Sequence, residues 1–252
     1  LVHCVSNLVT ANDCANLALG VGASPTMAQA PEEAEAITAA SAATVLNTGT
    51  PDAAKFSACH RWVQEAARFH QPLVLDPVGV GASPWRLQQV QSLLRLCAPS
   101  ILRVNLGEAQ ALLRQDSREQ GVDSPGTAGL DERIQAARAA ARCHGTVVLL
   151  TGPEDVISDG EQVVLSSGGS SQMARLTGTG CMLSVLCGVF AAVVPSALDA
   201  AVLASAFWKV CSQQAEQAAG GRGPGSFHTA LLDAAGTLTA QELAAGAALH
   251  EL

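Results

Sequence analysis

The chain has 252 residues, 48% hydrophobic and 14% charged, enough apolar material to bury a large core within one α/β unit. Its formal charge is −8, its pI is near 5.1, and lysine occurs only as Lys55 and Lys209, a balance that disfavours nucleic-acid and anionic-membrane partners. The eight cysteines are dispersed with no C-x-x-C pair and no Cys/His cluster at zinc spacing, so a reducing, cytoplasmic setting is expected.

The first six residues read as a strand, so the chain is expected to start close to a structured element or to lack a short natural leader, with no signal peptide. Helical spacing follows over 10–19 and is broken at 20–25. Asn7 and Asn12 suit either helix capping or ligand contact, with capping favoured for Asn12. Met27, in an irregular segment, suits either a core gap or a small apolar pocket. Residues 31–42 predict a helix opened by Pro31, with Glu32, Glu33 and Glu35 near its positive end. A short strand at 44–46 ends in Asn47-Thr48-Gly49-Thr50. A helix over 52–69 and a strand over 72–75 lead to Asp76-Pro77-Val78-Gly79-Val80-Gly81. Asp76 is open to two readings, a turn-forming residue or a carboxylate near magnesium and phosphates.

The alternation repeats with a helix over 85–96 and a strand over 101–104. Asn105-Leu106-Gly107-Glu108 then opens a helix reaching about residue 114. Capping can account for Asn105 and Glu108; it accounts less well for Arg103 at the strand end. Residues 115–129 read as a polar loop, 130–143 as a helix, and 147–150 as a strand ending in Thr151-Gly152-Pro153. A hairpin over 155–158 and 162–166, turning on Asp159-Gly160, and a short strand at 171–175 follow. Strands alternating with longer helices predict a mostly parallel sheet covered on both faces, whose ligands gather at the strands' carboxyl ends. With no Pro/Ser-rich linker or charge block, one domain over residues 1–252 is expected.

The sequence Thr177-Gly178-Thr179-Gly180-Cys181 then runs into the longest apolar segment, read as a buried helix over 183–194. The apolar run 181–194 is about fourteen residues long, short of the roughly twenty that cross a bilayer. A helix start leaves amides unpaired and carries partial positive charge, and two glycines let a ligand approach those amides. Cys181 at that position is expected to have its thiol pKa drawn down from about 8.5. The bland reading, a tight turn beside an inert core cysteine, stands beside this one. Helices over 197–218 and from about 227 and 239 complete the chain, around a loop, Gly220-Gly221-Arg222-Gly223-Pro224-Gly225-Ser226-Phe227.

Taken together, these motifs resemble the hydroxyethylthiazole kinases, within the ribokinase-like superfamily. The resemblance rests on Val2-His3-Cys4-Val5-Ser6-Asn7, Gly22-Ala23-Ser24-Pro25-Thr26-Met27-Ala28, Leu46-Asn47-Thr48-Gly49-Thr50, Leu75-Asp76-Pro77-Val78-Gly79-Val80-Gly81-Ala82, Arg103-Val104-Asn105-Leu106-Gly107-Glu108, Leu150-Thr151-Gly152, Thr177-Gly178-Thr179-Gly180-Cys181 and Gly223-Pro224-Gly225-Ser226-Phe227, in order along nearly the whole chain. Cysteine where most ribokinase-like enzymes carry aspartate is this family's own mark. The departures are Val104 where the family commonly carries glycine, Thr179 where alanine is usual, and the composition of the 115–129 loop.

The resemblance implies an αβα sandwich that phosphorylates the primary alcohol of 4-methyl-5-(2-hydroxyethyl)thiazole with ATP and Mg2+. It implies a homotrimer with the substrate site near a subunit interface. Met27 and Gly178 would line the thiazole site, with Asn7 and Gly49 at its border. Arg103 and Thr151 would contact ATP, Asp76 and Glu108 would surround magnesium, and Cys181 would take the place of the catalytic base. No Walker A string and no Gly-Lys dipeptide occur. Phosphate charge therefore falls to Arg103, the metal, and the amides of Gly178, Thr179, Gly180 and Cys181. A related kinase for hydroxymethylpyrimidine and a non-catalytic nucleotide- or thiazole-binding protein are the alternatives.

Overall fold

The computed structural model describes residues 1–113 and 129–252. Strand β1 (Val2–Val5) leads through α1 (Ala11–Gly20) to a two-residue edge strand, β2 (Pro25–Thr26). A 3-10 turn (Pro31–Glu33) opens α2 (Ala34–Ala40), and then β3 (Ala43–Asn47), α3 (Ala53–Arg68), β4 (Leu73–Asp76), α4 (Pro84–Leu96), β5 (Ile101–Asn105) and α5 (Leu106–Leu113) follow. After the undescribed stretch come α6 (Leu130–His144), β6 (Val147–Thr151), β7 (Asp155–Ser158), β8 (Val163–Ser167), α7 (Thr179–Ala191), α8 (Ala197–Ala219), α9 (Pro224–Thr237), α10 (Ala240–Gly246) and β9 (Ala248–Glu251).

The sheet order is β2-β1-β3-β4-β5-β6-β7-β8-β9, parallel as far as β6 and antiparallel in the last three pairings. Period-two alternation sends one set of strand side chains to each face. Val2, Cys4, Val45, Val74, Ile101 and Leu149 pack with α1, α7, α8 and α9. Val5, Leu46, Leu75, Leu102, Val104 and Leu150 pack with α3 to α6. Both faces are thus dry, which is why the parallel strands read as nearly unbroken apolar runs. The three-layer αβα sandwich is the architecture expected from the sequence.

Because β2 lies on one side of β1 and β3 on the other, the strand order reverses at the β1/β3 junction. In open α/β sheets a crevice forms at the carboxyl ends of such a pair. Helix α7 lies over this junction, and its approach depends on Gly188: a Cβ there would stand 2.3 Å from Val45 Cγ2. Gly188→Ala gains up to about 1 kcal/mol of helix propensity but overpacks a buried contact at about 1–3 kcal/mol. A net loss of stability is expected, read as a lower urea midpoint with an unchanged slope.

Several local expectations are corrected. Residues 171–175 form a 3-10 turn instead of a strand. Gly168 and Gly169, both at positive φ, turn the chain away after β8, and the Ser170 hydroxyl caps Gln172 N at 3.1 Å. The β7–β8 loop has four residues because Ser158 pairs with Val163, and Asp159 Oδ1 accepts from the amides of Glu161 and Gln162. Asn12 lies inside α1 and accepts from no backbone amide as a cap would; its Oδ1 accepts instead from Asn16 Nδ2 at 3.0 Å. Two strands were not expected: β2 is too short for periodicity, and β9 is exposed throughout. The polar loop read at 115–129 falls, but for its last residue, outside the described residues, as does the end of the helix read to 114.

Candidate active site

Five chain segments converge at the carboxyl ends of the parallel strands. From β1 comes Asn7, whose Oδ1 accepts from Val9 N and Thr10 N at 2.9 and 3.1 Å, turning the chain into α1. Its Nδ2 is left to donate to Asn47 Oδ1 at 3.1 Å and Cys181 Sγ at 3.3 Å. Asn7 is thereby fixed between its own turn, Asn47 and Cys181. Beside it, Lys55 Nζ donates to Ser6 O and Gly49 O at 3.1 and 2.7 Å, tying the segments after β1 and β3 together. A Cβ on Gly49 would stand 3.0 Å from both Asn47 Oδ1 and Asn7 Cβ. Thr50 sits at φ 43, held there as its hydroxyl accepts from Leu8 N at 3.1 Å. Such backbone strain concentrates where a site demands it.

At the end of β4, Asp76 is wholly buried. Its Oδ2 accepts from Asn47 Nδ2 at 2.9 Å and Ser184 Oγ at 2.8 Å. Its Oδ1 has no hydrogen-bond partner and faces Arg103 Nη1 at 3.6 Å. Burial pushes the Asp76 carboxyl above its ordinary range; Arg103, Ser184 and Asn47 pull the other way without overcoming it. Arg103, on β5, also donates from Nη2 to Thr151 Oγ1 at 2.7 Å. Val104 is buried on the other face, so its extra bulk never meets the guanidinium and the departure from glycine leaves Arg103 free to reach the site.

The first turn of α7 closes the cleft. Gly178 is its N-cap at φ 90, and a Cβ there would lie 2.6 Å from Thr10 Cγ2. Among the described residues nothing accepts from the amides of Thr179, Gly180 or Cys181. Thr179 O accepts from Trp208 Nε1 at 3.0 Å, which fixes the turn from α8. Gly180 and Cys181 remain partly exposed. A Cβ on Gly180 would stand 2.6 Å from both terminal nitrogens of Arg103. A guanidinium therefore lies against a helix amino terminus, positive against partly positive, an arrangement that invites an anion. Gly180→Ala should displace Arg103 and cost about 10²-fold in kcat, the scale of a 1 Å misplacement, with folding retained by circular dichroism.

The expected depression of the Cys181 thiol does not occur. Burial pushes it up, with the nearby Asp76 charge adding to the rise, and hydrogen bonding with Thr10 and Asn47 and the charge of Arg103 do not compensate. The helix terminus is outweighed by desolvation. Glu108 forms the capping pair read from the sequence, with Asn105 N donating to Oε2 and Glu108 N donating to Asn105 Oδ1, both at 2.9 Å. Its Oε1 accepts from Gly79 N at 2.9 Å, so it also holds the loop after β4. No group of three or more Asp, Glu, His or Cys converges among the described residues. Asp76 and Glu108 are the two carboxylates that a magnesium ion would use: Glu108 spends both oxygens on the amides of Gly79 and Asn105, and Asp76 Oδ1, without a hydrogen-bond partner, faces Arg103. Met27 lies just past β2, half-buried against the α1/α7 side of the core.

A family model described as the hydroxyethylthiazole kinase family matches residues 1–241. The chain belongs to the hydroxyethylthiazole kinase family. A hydroxyethylthiazole kinase from Methanoculleus marisnigri is 42% identical over 251 residues, covering 100% of this chain and 88% of the relative. The solved structure of a hydroxyethylthiazole kinase from Pyrococcus horikoshii superposes with a TM-score of 0.91 at 33% identity, covering 100% of this chain and 93% of that one. Bacillus subtilis pyridoxal kinase shares the ribokinase-like fold alone, with a TM-score of 0.60 at 16% identity over 83% of this chain and 90% of the other. Membership of this family makes the chain a phosphotransferase of the kinase type, and the thiamin-linked thiazole alcohol is the family's acceptor.

Asn47, Ser184, Lys55, Thr10 and Trp208 were not singled out from the sequence as site residues. Asn47 ends a buried strand as Asp76 does, a position that the strand-end rule could have flagged. Ser184 is the single hydroxyl in the apolar run 181–194, a signal in itself. Trp208 and Thr10 reach the site only through tertiary packing.

Proposed function

We propose that the cleft over β1, β3, β4 and β5 binds ATP and the thiazole alcohol together and transfers the γ-phosphoryl group to the alcohol oxygen. The observation that carries this reading is the Arg103 guanidinium lying against Gly180 beside three unpaired amides, ion-paired to a buried Asp76. The amides of Thr179, Gly180 and Cys181 receive the equatorial oxygens of the migrating group, and Arg103, steadied by Thr151, balances its charge. Asp76 and Glu108 would hold Mg2+. When bound, the ion neutralises charge on the phosphate oxygens. The alcohol oxygen forms a bond to the γ-phosphorus, the bond to the ADP oxygen breaks, and the alcohol proton passes to the Cys181 thiolate, whose sulfur Asn7 orients, leaving the neutral thiol. Because the thiol is held high, little thiolate is present near neutrality; the amides and Arg103 supply more of the barrier reduction than the base does.

Asn7, Gly49, Met27 and Gly178 border the thiazole. Leu8 and Val9, exposed at 81% and 63% beside Asn7, suit burial by a neighbouring copy, which supports the homotrimer and a substrate site completed near the subunit interface. Residues 1–252 act as one kinase domain. Cys4, Cys14, Cys59, Cys187 and Cys211 are buried as thiols in the core, in keeping with a cytoplasmic enzyme; no helix among the described residues is long and apolar enough to cross a membrane. Coupled ADP release with the thiazole alcohol, and not with the hydroxymethylpyrimidine alcohol, tests the assignment. Preference for the pyrimidine, or binding of ATP without turnover of either, would contradict it.

A further inference from the structure

We propose that Asn47 is a positioning residue for the transfer, one carbamoyl group setting the acceptor side and the phosphate side of the cleft in register. The inference rests on the kinase reading of the site and deepens it. Strand β3 lies between β1 and β4, and Asn47, its last residue, pairs in register with Asp76. Its Oδ1 accepts from Asn7 Nδ2 at 3.1 Å and Gly49 N at 2.9 Å. Its Nδ2 donates to Asp76 Oδ2 at 2.9 Å. The oxygen meets two donors and the nitrogen meets a carboxylate, so one orientation of the amide satisfies every partner.

Each end of this amide leads to a reacting group. On one side Asn7 passes from Asn47 to Cys181 Sγ. On the other, Asn47 and Ser184 together occupy Asp76 Oδ2, which leaves Oδ1 turned toward Arg103. The run Cys181, Asn7, Asn47, Asp76, Arg103 therefore crosses the cleft without a break. Asparagine is the residue this position asks for. Aspartate would set an oxygen against Asp76 Oδ2, and serine is too short to reach both sides. In-line transfer tolerates little displacement, about 10²-fold in rate for 1 Å.

The test compares Asn47→Ala and Asn47→Ser in the full chain, with thermal melting to confirm folding. Transfer to the thiazole alcohol and background ATP hydrolysis without the alcohol are both measured. The expected result is a kcat for transfer lowered about 10²-fold, with KM for each substrate changed less than about threefold, the signature of a contribution confined to the transition state. Hydrolysis should fall much less, because a water nucleophile is not held by Asn7 and Cys181. A merely structural role would lower transfer and hydrolysis together, in proportion to the folded fraction. Equal losses, unchanged transfer, or failure of both variants to fold would overturn the inference. A wild-type protein that turns over no thiazole alcohol would sink the kinase reading, and this inference with it.

Discussion

Arg103→Ala is expected to lower kcat by about 10³-fold or more, the scale on which a transition-state arginine acts in phosphoryl transfer. The guanidinium stands where phosphate charge must be met, against Gly180 and beside Asp76 and Thr151. Its loss has a second consequence. Asp76 is left buried with neither its cation nor water at Oδ1, and breaking one side of a buried pair costs about 3–5 kcal/mol. Part of that cost is avoided by protonation, since burial already pushes the Asp76 carboxyl up. Arg103→Lys should rescue stability better than rate: an ammonium supplies charge but not the planar fork that reaches Thr151 and the phosphate together. Steady-state kinetics beside a urea melt separate the two effects. An alanine variant with wild-type kcat and only lower stability would make Arg103 a structural residue.

Cys181 offers the second large effect, and its sign follows from the raised thiol. Cys181→Ala should lose about 10²–10⁴-fold, the range of a general base. It should not fall to the uncatalysed rate, because the amides and Arg103 remain. With the thiol held above its ordinary value by burial and Asp76, the thiolate gains as pH rises, so wild-type kcat should climb on the alkaline side of neutrality. Cys181→Asp should keep substantial turnover and lose that climb, since a carboxylate there is already ionised at lower pH. Profiles of kcat against pH at saturating substrates decide the matter. An alanine variant with the same alkaline rise as wild type would remove Cys181 from proton transfer.

Much of the fold was legible because buried parallel strands declare themselves as short apolar runs between longer helices. The strands ending at Asn47, Asp76, Asn105 and Thr151 were each placed to within a residue or two. What escaped had no such signature. Strand β2 spans two residues, and β9 is an exposed edge that buries nothing. Residues 171–175 looked extended, yet two left-handed glycines and a serine cap wound them into a turn.

The site divides along the same line. Motif positions at strand ends and at the start of α7 could be named because the chain must present them there. The chemical state of those positions could not. A helix terminus argues for a low cysteine pKa, but desolvation depends on what packs around the sulfur, and here it prevails. What Asn47 and Ser184 do is visible only once Asp76 is seen between them. Val104, a departure from the family's glycine, faces away from Arg103, which only the pleat makes visible.

The most direct measurement is a crystal structure of the protein with ADP, Mg2+, the thiazole alcohol and a metal-fluoride mimic of the transferring phosphoryl group. The mimic should accept from the amides of Thr179, Gly180 and Cys181, with the Arg103 guanidinium alongside and the alcohol oxygen between it and Cys181 Sγ. A mimic lodged elsewhere, with those three amides left to water and Arg103 still turned to Asp76 and Thr151, would contradict the account.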